Sequence, residues 1–223
     1  MVADAMTQRG TGTSSHDSVE RSLHAVIRDL DSDGAFHRLA VGEADRDFDG
    51  ASLTVGLPQG LRPALAVAAA VRRPVVMVVV SGREAQDTVD ALRSWYDGDP
   101  NDIAQLEAWE TLPHERLSPR ADTVASRMAV FRRLKHPEPG SAMFGPIRIL
   151  VMPVRSLIQP VVAGLSDVEP LVLSTGQDTP FDQVTARPGE NSDTRVDLGM
   201  DRGEFAVRGG ILDGFGPTAP QPV

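Results

Sequence analysis

The stretch "RPVVMVVVSG", residues 73–82, sets six consecutive apolar residues between a proline and a serine–glycine pair. A run this continuous, without period-two alternation, reads as a strand buried on both faces, the habit of parallel sheets covered by helices. Its surroundings agree. Ser81 and Glu84 form a capping-box pattern, and Ala85, Val89, Leu92 and Trp95 then recur at helical spacing. A helix from about Ala121 to Leu134 carries Val124, Met128 and Phe131. "PIRILVMPV", 146–154, is a second apolar strand, and Leu157, Ile158 and Val161 suggest a short helix after it. Upstream, Asp17 and Glu20 form another capping box ahead of Leu23, Val26, Ile27 and Leu30, which share one helical face. Strands alternating with helices predict the α/β class, with a mostly parallel sheet and helices on both faces.

The stretch "SLTVGLPQGLRPALAVAAAVRR", 52–73, tests whether this sheet holds a nucleotide. It predicts a strand (Leu53, Thr54, Val55), a loop with glycines at 56 and 60, and an apolar helix. A phosphate loop works through backbone N–H groups, a lysine on the phosphates and a hydroxyl on magnesium. Here Leu61, Arg62 and Pro63 stand where Gly-Lys-Ser/Thr would be. Pro63 instead suits a helix start, where its fixed φ is pre-organised. An ordinary βα turn is the favoured reading and an ATP site the alternative.

Other chemistry is sparse. The histidines at 16, 24, 37, 114 and 136 show no metal-ligand spacing, and the chain has no cysteine. Asp29, Asp31, Asp33 and Gly34 match the opening of a calcium loop, but position twelve is Ala40 where a bidentate glutamate is required. Residues 31–50 accordingly read as a polar loop. Ser81 beside Gly82 reads as a helix cap rather than a nucleophile, and no pair of carboxylates stands out for acid–base work. Arg120, Arg127, Arg132, Arg133 and Lys135 against Asp122 make a locally basic helix. It reads either as a solvated face or as a contact for an acidic partner or neighbouring domain. With 22 Lys and Arg against 31 Asp and Glu, the net charge of −9 argues against broad electrostatic binding to nucleic acid. Aromatics at 4% leave few stacking platforms. No 18-residue apolar run and no apolar leader occur, so a cytoplasmic protein without a membrane span is expected.

The texture changes after about Val168. "PLVLSTG" reads as a strand and turn, "RPGENSD" (187–193) clusters breakers, and "GEFAVRGGILDGFGPTAP" alternates apolar and polar residues among glycines, which reads as a small antiparallel β unit. The expected organisation is a disordered 1–19, an α/β domain over 20–168, and part of a small α+β domain over 169–223.

Two stretches carry a family resemblance. "WETLPHERLSPRADTVASRMAVFRRL" (109–134) and "RGEFAVRGGILDGFGPTA" (202–219), with "VMPVRSLIQPVV" between them, resemble the N-terminal region of bacterial transcription-repair coupling factors, in an actinobacterial flavour. The resemblance runs from about residue 20 to the last residue. It implies a UvrB-like, degenerate nucleotide-binding domain that has lost its phosphate loop, followed by a small domain that recruits the UvrA subunit of nucleotide excision repair. It further implies no catalysis and no cofactor here. ATP and magnesium belong to the separate translocase motor of the whole factor, and RNA polymerase and DNA contacts belong to its other domains. By the same resemblance Arg208 matches a UvrA-contacting arginine, whose fork suits a carboxylate. Glu204 and Arg202 are weaker candidates, and Phe205 is either a contact or core. The resemblance places further contacts in a strand just beyond "TAPQPV", so weak UvrA binding is expected of residues 1–223 alone. Pro188, Gly189, Asp193 and Gly214 depart from the family pattern. In a helix interior Pro188 would cost about 3 kcal/mol and Gly189 about 1, so a stability loss in 169–223 is expected. The rival readings are a small nucleotide-binding ATPase, a salt-sensitive nucleic-acid-binding module, and a decayed fragment.

Overall fold

The computed structural model describes residues 25–30, 32–41, 54–111, 119–141, 143–169, 178–180, 194–195, 204–208 and 211–215, with two single positions besides. Its centre is a sheet of three parallel strands, β1 (Val75–Val79), β2 (Ile103–Gln105) and β3 (Ile149–Pro153), in the order β1-β3-β2. Val75 pairs with Ile149 and Val79 with Pro153 on one side, and Ile103 with Ile149 on the other. Helices α1 (Gly34–Val41), α2 (Arg62–Ala70), α3 (Gly82–Trp95), α4 (Ala121–Lys135) and α5 (Val154–Ile158) surround it. The fold class is therefore α/β, as the alternation predicts.

The two faces carry separate cores. Ala66, Val67 and Ala70 of α2 and Ala85, Val89 and Leu92 of α3 pack with Ile103, Ile149 and Val151. On the other face Val130 of α4 packs with Ala104, Leu106, Ile147, Leu150 and Met152. β3, in the middle, is buried along its whole length. β1 is not: Val76 and Val78 are 57% and 45% exposed. The expectation that 75–80 is buried on both faces is corrected here. Among the described residues β1 is an edge strand, and α4 covers the second face only over its neighbours. The continuous apolar run records helix-covered sheet on one side and an uncovered apolar face on the other.

α3 starts as its capping box predicts. The Glu84 N–H donates to Ser81 Oγ at 3.1 Å, and the Val80 N–H donates to Glu84 Oε2 at 3.1 Å. The expected strand at Leu53–Val55 does not form over its described part. Thr54–Pro58 have no regular structure, and Gln59–Leu61 form a 3-10 turn leading into α2. Three residues with Gly56 and Pro58 behind them are too short an apolar run to hold a sheet edge.

Residues 31–50 are also not wholly loop, because α1 occupies Gly34–Val41. The signal was Asp33, whose Oδ1 accepts from the N–H groups of Ala35 (3.0 Å) and Phe36 (2.9 Å). This aspartate, the third of the calcium-like pattern, is a helix cap. Phe36 and Ala40 pack on Ala64 of α2, with Ile27 and Leu30 of the helical stretch 25–30 beside them. Ala40 stands where calcium needs glutamate because the position is core.

The two backbone N–H groups hold the Asp33 carboxyl below the usual carboxylate range. A lowered folded-state value stabilises the protein above the ordinary value of about 4 and is lost as pH falls through the lower one. Asp33→Ala is therefore expected to lower the Tm at pH 7 and to have almost no effect below pH 2. Thermal unfolding at the two pH values checks this, and Asp33→Asn, which can still cap, should retain most of the stability.

The Asp17–Glu20 box, the strand at 170–175 and the cluster at 187–193 lie outside the described residues. β4 (Thr194–Arg195), β5 (Glu204–Arg208) and β6 (Ile211–Phe215) form a second sheet. β5 and β6 are an antiparallel hairpin, and β4 pairs parallel to β5.

Candidate functional site

The motif residues of 109–134 and 151–162 converge at the carboxyl ends of the sheet. The Trp109 N–H donates to Gln159 Oε1 at 2.8 Å, and Gln159 Nε2 donates back to the Trp109 carbonyl at 3.2 Å. One side-chain amide thus pairs both backbone groups of Trp109, as a neighbouring strand would. Ser156 Oγ, fully inside, donates to the Leu106 carbonyl at 2.9 Å. Glu110 then caps α4 from ten residues upstream. Its Oε1 accepts from the Arg120 N–H at 2.9 Å and from Thr123 Oγ1 at 3.3 Å, where α4 has no cap of its own at Arg120.

Arg127 lies at the centre with no exposed surface. Its guanidinium carbon sits 4.3 Å from the Trp109 ring centre and 5.5 Å from that of Phe131. Nη1 donates to the Glu107 carbonyl, while Nε and Nη2 have no hydrogen-bond partner among the described residues. Burial pulls the Arg127 pKa down, and the nearby Glu107 opposes that. Burial, then Asp122 and Glu110, pushes the Glu107 carboxyl up. Tryptophan 18 residues before arginine, with glutamate next to the tryptophan, is the spacing of an internal clasp. The motif residues hold the segment after β2 to α4 and α5.

The remaining basic residues of α4 are also spent within the domain. Arg120 bonds Asp122 at 2.8 Å, Arg132 bonds Glu138 at 3.3 Å over Phe144, and Lys135 bonds Asp167 at 2.8 Å. Arg133 gathers the carbonyls of Gly145 (2.8 Å), Pro146 (3.3 Å) and Asn101. His136 Nε2 meets the same Asp167 carboxylate at 2.8 Å. Arg133 thus ties down the loops ahead of β2 and β3, while Arg120 and Lys135 pair at the exposed ends of the helix.

A cleft of about 390 Å³ opens at the carboxyl ends of all three strands, lined by Ser81, Gln105, Glu107, Trp109, Glu110 and Arg155 among others. Ser81 and Glu84 already occupy the start of α3. The glycine loop at 56–60 does not line this cleft. Pro63 is buried at the second position of α2, and no side chain caps that helix. Among the described residues no three His, Cys, Asp or Glu side chains are grouped to hold a metal. No helix among them is long and apolar enough to cross a membrane.

Of the sequence-predicted partner residues, three have described backbones. Glu204 opens β5 opposite Phe215, Phe205 stands opposite Gly214, and Arg208 closes the strand opposite Ile211. That register leaves Gly209 and Gly210 between the strands, the length and composition that the tightest hairpin links require. Arg208 is thus at the turn end of the hairpin. Ala206, between Glu204 and Arg208, is fully buried, and Ile211 is 64% exposed. β4 follows directly on Asp193, and Thr194 and Arg195 form a short strand beside Glu204 and Phe205. Arg202 lies outside the described residues.

A small parallel sheet with an internal clasp at its carboxyl ends, followed by a hairpin sheet, defines an α/β scaffold with an appended β unit. No family model matches the chain. It is 49% identical over 172 residues, 77% of its length, to the transcription-repair-coupling factors of Mycobacterium bovis and Mycobacterium tuberculosis. To the factor of Escherichia coli it is 29% identical over 143 residues. Over the matched stretch the chain belongs to the transcription-repair-coupling factor family. That stretch is 14% of the mycobacterial proteins.

Proposed function

We propose that this chain is a non-catalytic recruitment module of a transcription-repair coupling factor, which brings UvrA to stalled RNA polymerase. The observation that carries the reading is the 49% identity to mycobacterial coupling factors, together with the hairpin that sets Arg208 at its turn end. Arg208 is the principal contact, Glu204 and Arg202 support it, and Phe205 is either a second contact or part of the hairpin's packing. Polymerase and DNA contacts, and ATP with magnesium, belong to other regions of a full-length factor. The α/β part, over 20–168, is the degenerate nucleotide-binding domain and the support for the β unit over 169–223. Asp167, held by Lys135 and His136 at the end of α4, is the natural place for one to give way to the other. The cytoplasm is where such a module works.

The alternative, an ATPase, makes a direct prediction. With Leu61, Arg62 and Pro63 in the loop and no strand formed over Thr54 and Val55 before it, the chain is expected neither to bind nor to hydrolyse ATP. Calorimetric titration with magnesium-ATP checks this: no heat of binding up to millimolar nucleotide is expected, and micromolar binding would restore the enzyme reading.

A further inference from the structure

Among the described residues β2 is the outermost strand on its side of the sheet. The Asp102 carbonyl accepts from the Arg148 N–H (2.8 Å), and the Leu106 N–H donates to the Val151 carbonyl (2.9 Å). In a parallel ladder inward- and outward-facing residues alternate, so Asp102, Ala104 and Leu106 face β3 while Ile103 and Gln105 face out. The Ile103 N–H is turned back to the Pro100 carbonyl. What remains on the edge is the Ile103 carbonyl, both backbone groups of Gln105 and the N–H of Glu107.

This edge lies in a groove of about 510 Å³ with a helix on each side. Val89 and Arg93 of α3 form one wall, Ala129 and Val130 of α4 the other, and Glu107 lies at the far end. A strand inserted there would meet Gln86 and Arg93 beside Val89 on one face, and Ser126 and Arg133 beside Ala129 and Val130 on the other. The ends differ in charge. Arg93 lies where β2 begins, and its side chain is about half exposed with only a 3.9 Å contact to Asp90. Glu107 lies where β2 leaves the sheet, its carboxyl pushed up by burial and then by Asp122 and Glu110, against Arg120 and Arg127. A cation placed there would offset those two acids.

We propose that the outer edge of β2, between α3 and α4, takes one extended peptide segment of a partner protein by strand addition. The segment sets an acidic residue at Arg93 and a basic residue at Glu107, with β-branched residues between them. Backbone pairing supplies affinity and the two charged ends supply selectivity, as in other cases of strand addition. The site is separate from the β5–β6 hairpin and does not depend on UvrA binding.

The test uses the full 223-residue chain and a fluorescein-labelled peptide Glu-Val-Thr-Val-Thr-Val-Lys, followed by anisotropy. Saturable binding in the micromolar range is expected. Gln105→Pro removes the outward N–H and leaves the inward ladder, since proline is tolerated on the open side of an edge strand. Losing one or two edge bonds should weaken the peptide roughly tenfold. Arg93→Glu, at an exposed helix position that folding does not need, should weaken it several-fold and favour a peptide with lysine at both ends. Absence of saturation at 1 mM overturns the proposal. So does binding that Arg93→Glu leaves unchanged, or wild-type amide shifts that bypass Gln105 and Glu107.

Discussion

Arg127→Ala is expected to lower the unfolding free energy by about 3 kcal/mol or more, while Arg127→Met should stay within about 1.5 kcal/mol of wild type or exceed it. Alanine would leave a void between Trp109 and Phe131 and remove the bond to the Glu107 carbonyl. It would also detach α4 from the segment after β2. Methionine fills the same slot between two rings. It loses one hydrogen bond but also removes Nε and Nη2, which are buried without partners among the described residues. Burying polar nitrogens unsatisfied is costly, and replacing them by apolar volume offsets what the lost bond contributed. Urea denaturation of the three proteins checks this. A methionine variant as weak as the alanine one would mean that the guanidinium bond, not the packing, holds the clasp. A harmless alanine would mean that the clasp holds nothing.

Glu107 adds a pH signature to the same cluster. Its folded-state value is raised, so its charged form is disfavoured in the fold. The sign is opposite to that of Asp33: stability should rise as pH falls through the raised value toward the ordinary 4.3. Glu107→Gln should flatten that part of the profile.

The sequence announced the elements whose causes are local. The Ser81–Glu84 box, the apolar spacing of 85–92 and the run at 149–153 each need only near neighbours, and all appear in place. Where a residue's role is set by something distant, local reading stops. Val76 and Val78 look like Val151, and only strand order tells an edge from a centre. Asp33 matched a metal pattern because a capping aspartate and a calcium aspartate both accept backbone N–H groups. Phe36 and Ala40, four apart, were the quieter sign of α1. The clasp was visible only as a resemblance, since Trp109, Gln159 and Arg127 are neighbours through the fold and not along the chain. The five basic residues of α4 looked like a charged face because their partners are carbonyls and acids up to 32 residues away. The hairpin, by contrast, was readable from alternation and Gly209-Gly210 alone.

UvrA binding is where the functional account stands or fails. Arg208 closes β5 opposite Ile211, at the turn end of the hairpin. An arginine in such a position can form a bidentate contact with a carboxylate. Truncating an interface anchor of this kind costs about 2 kcal/mol, roughly thirtyfold in affinity. The decisive measurement is therefore the affinity of immobilised UvrA for the full product of the reading frame, as wild type, Arg208→Ala and Arg132→Ala. The account predicts saturable binding that Arg208→Ala weakens about thirtyfold and Arg132→Ala, on the internally paired helix α4, leaves unchanged. Binding indifferent to Arg208→Ala, or no binding by the wild type, would contradict it.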